Sequence, residues 1–390
     1  MPIVNRFAAL HDEIAAWRRD IHENPELLFD VYRTAETVAE KLQAFGVDEV
    51  VTGIGRTGVV GIIRGANGGE GKVIGLRADM DALPIIEATG KEYASKTPGL
   101  MHACGHDGHT AMLLGAAKYL CETRNFAGTV AVIFQPAEEG GGGGREMVKD
   151  GMMERFGIEE VYGMHNFPGM PVGQFAIRPG PMMASADRIT IDIEGVGGHA
   201  AKPHKCIDPI LVGAHIVTAA QSIASRSVDP MESAVVSITV FRAGETDNVI
   251  PQTAYLHGTV RTLKPEIRDQ VEERLHHIVE TTAAVFGAKA KLTYERDYPV
   301  TVNDDEKARF AATIAEKVVG TTNVDADLTP IMGGEDFSFM LEARPGAFIF
   351  VGNGDSRDLH HPEYDFNDEA IPYGCSYWVT LVETALPAGR

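Results

Sequence analysis

Cysteine is scarce in this sequence: Cys104, Cys121, Cys206 and Cys375 are scattered through 390 residues without the spacing of a disulfide framework. That excludes a small stapled secreted domain, and the thiols are expected to be reduced, which leaves Cys104 available as a ligand or nucleophile. No apolar run is long enough to cross a membrane. The opening Met1-Pro-Ile-Val-Asn-Arg6 lacks the apolar core of a leader peptide, so the cytoplasm is the expected compartment. Basic residues are outnumbered, with 35 Lys and Arg against 55 Asp and Glu for a formal charge of -20. Such a field argues against a nucleic acid or an anionic membrane as partner, but not against an acidic small substrate held in a local cationic pocket. There is no internal repeat, and no low-complexity linker beyond the glycines of 140–144.

What is present is enough chain for two domains, and 42 glycines that point to many tight turns and loops close to a ligand. Phe7, Leu10, Ile14, Trp17 and Ile21 recur at helical spacing until Asn24-Pro25 ends the helix. Ala35, Val38, Leu42 and Phe45 predict a second helix closed by Gly46. Strands are expected over 58–63 and 73–76, the latter running into Arg77-Ala-Asp-Met-Asp-Ala-Leu-Pro84. Met101-His-Ala-Cys-Gly-His-Asp-Gly-His-Thr110 then leads into a helix over 111–121. The unbroken apolar run Thr129-Val-Ala-Val-Ile-Phe-Gln135 reads as a strand buried on both faces, stopped by Pro136, which delivers Glu138 and Glu139 into a glycine-rich loop. A further strand over 161–164 ends in His165-Asn166. Polar clusters follow strands each time, as in an α/β sheet whose ligands bind at the carboxyl ends of its strands.

From about Met183 the rhythm changes. Strands over 189–193, 234–241, 253–261 and 290–294, with helices over 208–225 and 265–286, give the order βαββαβ of a ferredoxin-like unit. The α/β pattern then resumes with a helix over 306–319, a strand over 347–351 and a C-terminal helix. The expected fold is therefore an α/β domain with a central mixed sheet, residues 1–182 and 296–390, interrupted by an inserted α+β domain, residues 183–295.

Cys104 and His106 flank a glycine, so thiolate and imidazole can face one point, a pairing that suits zinc, manganese, cobalt or nickel. His102 and His109 compete with them, His109 falling in the first helical turn where a structural role is expected. His165 follows another strand, and His360, with His361 as its competitor, sits in Asp358-Leu-His-His-Pro-Glu-Tyr364. Cys104, His106, Glu139, His165 and His360 exceed the needs of one tetrahedral ion and suit two ions about 3.5–4 Å apart with a shared ligand. Glu138, beside a ligand but not itself one, would take a proton from water and pass it to a leaving amine. Asp79 and Asp81 have no assigned role. Glu335 and Asp336, in the glycine-rich stretch 333–337, are expected to cap a helix. Asp304-Asp-Glu306 is expected at a helix N-terminus, and Met147, Met152, Met153, Met164, Met182 and Met183 as core or pocket wall.

These stretches, with Gly163-Met-His-Asn166, Gly197-Gly-His-Ala-Ala201 and His360-His-Pro362, resemble the aminoacylase and carboxypeptidase superfamily of co-catalytic metallohydrolases. The resemblance covers nearly the whole chain. It is strongest to the amidohydrolase branch containing hippurate hydrolase, N-acyl-amino-acid deacylases and plant auxin-conjugate hydrolases. It implies that Cys104 bridges two divalent ions (manganese, zinc, nickel or cobalt) and that His106, Glu139, His165 and His360 complete the ligands, with Glu138 as general base. It further implies that the inserted domain is a lid and dimerisation domain making a homodimer or dimer-based oligomer. A histidine matching His199 then reaches the partner's site to stabilise the oxyanion, while Asn248 and Arg261 hold the substrate carboxylate. The function so implied is hydrolysis of the amide bond of an N-acyl or N-aroyl amino acid by a metal-bound water. A dipeptidase or carboxypeptidase is the alternative within the superfamily. A metal-free cysteine hydrolase using Cys104, and a metal-binding protein without activity, are alternatives outside it.

Overall fold

The computed structural model describes residues 5–388, so most of the opening stretch read for a leader lies outside them. Apolar spacing builds the first helices: α1 (Asn5–Glu23) buries Phe7, Leu10, Ile14 and Ile21. Helix α2 (Tyr32–Phe45) stops where Gly46 adopts φ 79 and returns its N–H to the carbonyls of Gln43 and Leu42. The elements that follow are β1 (Glu49–Ile54), β2 (Gly58–Arg64), β3 (Val73–Asp79), α3 (His106–Thr123), β4 (Thr129–Gln135), α4 (Gly143–Lys149) and β5 (Glu160–Phe167). They form a mixed sheet in the order β1-β2-β4-β3-β5, continued by Gly346–Gly352, Phe175–Ala176 and Val324–Asp325. β3 runs parallel to both β4 and β5, and β5 parallel to Gly346–Gly352. Asp79 pairs with Gln135, so β3 and β4 finish side by side and their following loops open on one edge. Every residue of β4 is buried, as its uninterrupted apolar run requires.

Three local details depart from expectation, and all bear on the site. Helix α3 starts at His106, five residues earlier than apolar periodicity suggests, because His106, Asp107 and His109 are polar yet buried in its first turn. Strand β5 continues through His165 and Asn166 instead of ending before them. The glycine run is not simply a loop, since Gly143 begins α4. A Cβ at Gly143 would stand 1.6 Å from the Pro136 carbonyl oxygen and one at Gly144 2.7 Å from that of Asp336, so these glycines serve close backbone packing.

The chain divides into two compact units. The first takes the chain to Met182, Val302–Thr329 and Asp336 onward; the second takes Met183–Thr301 and Pro330–Glu335. The second holds a four-stranded antiparallel sheet in the order Ala234–Ala243, Thr253–Thr262, Ala186–Glu194, Lys289–Tyr298. Ile189, Ile191 and Ile193 alternate with more exposed residues and pack with Val212, Ile216, Leu275 and Val279 of the helices Pro209–Ser222 and Pro265–Val285. No helix among the described residues is long and apolar enough to cross a membrane.

Candidate metal centre

The loops leaving β3 and β4, the first turn of α3 and the end of β5 converge on one cluster of donors. Gly105, at φ 90, turns the chain between Cys104 and His106. Cys104 Sγ then lies 3.4 Å from His165 Nε2, and the Cys104, His106 and His165 donor atoms all lie within 4.8 Å of one another. Cys104, Glu139 and His360 form a second such group, and His106, Glu138 and Glu139 a third. The thiol is thus common to two groups, as a shared ligand must be. His360 itself sits at φ 64, with its N–H bonded to the Ala103 carbonyl at 2.7 Å. That strained backbone brings its Nε2 to 3.2 Å from Glu139 Oε1. His361 instead turns its Nδ1 back to accept from the Glu363 N–H, and His360 is the one of the two that stands within the donor groups. His102, the competing ligand near Cys104, is buried outside these groups, and burial lowers its pKa to about 3.

Each donor is aimed by a second contact. His106 Nδ1 donates to the Asp81 carbonyl at 2.8 Å and His165 Nδ1 to the Asn166 carbonyl at 2.7 Å, which leaves both Nε2 lone pairs facing the cluster. The Asp81 carboxylate accepts the N–H of Glu138 at 2.9 Å with one oxygen and that of Glu139 at 3.0 Å with the other. Beneath the cluster, buried Arg77 bonds Asp79 at 2.6 Å, Gln135 at 2.9 Å and Asp336 at 3.0 Å. Asp336 also accepts from Gly144 N–H at 2.8 Å. It therefore does not cap the helix that follows it but meets the first turn of α4 and ties that turn to the strand ends.

The donors fit a pair of divalent ions. His106 Nε2 is buried without a hydrogen-bond partner, an arrangement that costs stability unless something else meets it, and Glu139 Oε1 beside it faces the His360 ring. Two donors on one tetrahedral ion, with bonds of about 2.1 and 2.3 Å, stand about 3.6 Å apart, close to the Cys104–His165 separation. The charges agree. Burial disfavours a charged ring, yet Asp79, Asp81 and Glu139 lift His106 to about 10. Burial, with Glu139 and Glu138 adding, drives the Cys104 thiol well above its ordinary value. The acids thus favour added positive charge at His106 and Cys104, whereas burial and His109 hold His165 well below its ordinary value as a neutral donor. The same environment disfavours the Cys104 thiolate that a metal-free nucleophile needs.

A family model described as Peptidase family M20/M25/M40 matches residues 75–384. The chain belongs to this family. Among relatives of the M20 chain, hippurate hydrolase of Campylobacter jejuni is 44% identical over 381 residues, covering 98% of each protein. N-acetylcysteine deacetylase of Bacillus subtilis is 40% identical over 379 residues, covering 97% of this chain and 98% of the relative. Among solved structures, the Bacillus subtilis YxeP protein, described as a dinuclear metal binding peptidase from the M20 family, superposes with a TM-score of 0.84 at 38% identity. That match covers 97% of this chain and 99% of the other. The fold is that of an M20 peptidase with a mixed α/β sheet.

The remaining expected site residues lie on the second unit. The strand pair Gly198–His199 and Val249–Ile250 sets His199 opposite Val249, and the Ala200 N–H bonds the Asn248 carbonyl at 3.0 Å, so His199 and Asn248 share one exposed ribbon. Arg261 stands on Thr253–Thr262, half-buried, where burial lowers its pKa. Sequence reading left Asp81 without a role and passed over Asn166 and Tyr364. Asp81 stood at a strand end among the motifs, but nothing near Tyr364 marks it as a neighbour of residues two hundred positions away.

Proposed function

We propose that this amide-bond hydrolase removes an acyl or aroyl group from the nitrogen of an amino acid, with hippurate and N-acetyl amino acids as the leading substrates. The observation that carries the reading is the thiol shared by two donor groups with Glu138 beside them, in a chain 44% identical to a hippurate hydrolase. Cys104 would be shared by two ions, with His106, His165, Glu139 and His360 as the other ligands. Manganese, zinc, nickel and cobalt all suit such donors. When bound, a pair of this kind activates water and polarises the amide carbonyl. Glu138 takes the proton as the water oxygen bonds the carbonyl carbon, and returns it to the nitrogen as the C–N bond breaks. Asp81 keeps the base and Glu139 in fixed relation throughout.

His199, Asn248 and Arg261 complete the proposal on the ferredoxin-like insert, read as a lid and dimerisation domain within 183–295. His199 would steady the oxyanion in a partner's site. Arg261 would clamp the substrate carboxylate with its planar fork, a role suited to a half-buried guanidinium. The test is release of free amino acid from a panel of N-acyl amino acids and dipeptides, each run after chelation and after return of single metals. Activity should vanish on chelation, recover with metal, and fall by about 10²–10⁴-fold in Glu138→Ala. Activity that survives chelation would refute the metal route, and dipeptides outrunning N-acyl amino acids would move the assignment to a carboxypeptidase.

A further inference from the structure

Three segments that carry donors of the metal centre meet on one residue that supplies none. Asn166 is fully buried. Its Nδ2 donates to the Cys104 carbonyl at 2.6 Å, and its main-chain carbonyl accepts from His165 Nδ1 at 2.7 Å. Its Oδ1 accepts the Tyr364 hydroxyl at 2.8 Å, four residues beyond His360. Its main-chain N–H donates to His109 Nε2 at 2.9 Å.

The directions of these bonds are fixed. A main-chain N–H can only donate, so His109 Nε2 is the acceptor and Nδ1 carries the proton, given to Asp79 Oδ1 at 2.6 Å. Arg77 holds the other Asp79 oxygen. The amide of Asn166 cannot be turned over, because an oxygen in the Nδ2 position would face two acceptors, the Cys104 carbonyl and His109 Nε2. Gly105 closes the arrangement. A Cβ there would stand 2.3 Å from Asn166 Nδ2 and 2.5 Å from Tyr364 Oη, so the amide lies directly against the backbone between Cys104 and His106.

We infer that Asn166 is a positioning residue that sets the Cys104–His106 turn, His165 and the His360 segment in register for the ions, its amide held by Tyr364 and by the Asp79–His109 pair. The inference rests on the ligand set proposed above. A buried polar network could instead serve stability alone, and the two roles separate experimentally. Tyr364→Phe removes one hydroxyl at constant shape. Tyr162→Phe does the same to the buried hydroxyl that donates to Glu160 at 3.0 Å, on β5 but outside the donor cluster. Asn166→Asp replaces the essential donor by an acceptor.

The full-length chain, stripped and titrated with cobalt, is read by affinity, by the thiolate-to-cobalt absorption band and by urea unfolding. Both Phe variants should lose similar stability. Only Tyr364→Phe and Asn166→Asp should bind cobalt about 10–100-fold more weakly, with an altered thiolate band, the range typical of lost outer partners of metal ligands. Wild-type cobalt affinity and band in Tyr364→Phe would overturn the inference even if Asn166→Asp failed to fold. Equal weakening in Tyr162→Phe would also overturn it, by reducing the effect to general stability. Cys104→Ser, expected to lose the band, tests the ligand set separately: a wild-type chain with no such band would overturn that set and the inference with it.

Discussion

Asp81 shows how one residue can hold several groups of the donor cluster in fixed relation. Its two carboxylate oxygens take the consecutive N–H groups of Glu138 and Glu139, and its carbonyl takes His106 Nδ1. A neutral amide can offer only one acceptor there, and its NH₂ would oppose a main-chain N–H. Asp81→Asn should therefore lower kcat by about 10–100-fold with little change in KM. Kinetics at full metal occupancy, checked by metal analysis, decide the matter. An unchanged kcat would remove Asp81 from the positioning role. Arg77 acts more remotely, joining Asp79 to Asp336 under the same loops. Lysine could not replace it, because three partners are met by one rigid planar fork.

At the scale of elements, the site is made where strands end and a helix begins. Parallel β3, β4 and β5 deliver their following residues to one edge, and α3 starts within the donor cluster itself. That start depends on Gly105. Gly105→Ala would put an L-residue at φ 90, costing about 1–3 kcal/mol, and would drive a methyl into Asn166 and Tyr364. Gly46→Ala provides the comparison: its φ is 79 but nothing lies within 4 Å of the added methyl, so it should cost about 1 kcal/mol and spare the metal. Urea unfolding and retained metal should then diverge, both falling for Gly105→Ala and only stability falling for Gly46→Ala. Equal metal retention in the two variants would contradict this account of the turn. Gly143 and Gly144 answer to the same logic, being required by contact with backbone and not by flexibility.

At the scale of the whole molecule, buried charges tie distant parts of the chain together. Arg18 of α1 bonds Asp368 at 2.7 Å and the Phe366 carbonyl at 3.1 Å, and lies 3.7 Å from Asp107 of α3. His22 bonds Asp107 at 2.8 Å and Glu87 at 3.3 Å. Burial alone would discharge the His22 ring, but Asp107 and Glu87 outweigh it and lift the pKa from 6.5 to about 9. A folded value above the unfolded one means that the contribution is complete below pH 6.5 and is lost as pH rises through 9. The shift corresponds to something on the order of 3 kcal/mol. Comparing wild type with His22→Gln by urea unfolding across pH 6–10 isolates it. The stability difference should shrink as pH rises, and a difference that stayed flat would show that His22 carries no such charge.

Much of this was legible along the chain. The apolar run of β4 specified a doubly buried strand, Pro136 its end, and Gly46 and Pro25 the limits of helices, because these signals act on their own neighbours. The donor residue types were legible too: thiol, imidazoles and paired carboxylates fall after strands, where an α/β sheet opens. The early start of α3 was hidden, since buried polar residues carry no apolar rhythm, and so was the packing reason for Gly143 and Gly144. Only the tertiary structure could bring His360 beside Cys104 and Glu139, make the one residue Asp81 serve two glutamates and a histidine, and bring Tyr364 onto Asn166. Sequence determines which groups a segment can offer and where its local structure stops. Which of them face one another across 198 residues, as Asn166 and Tyr364 do, depends on long-range packing that no local pattern encodes.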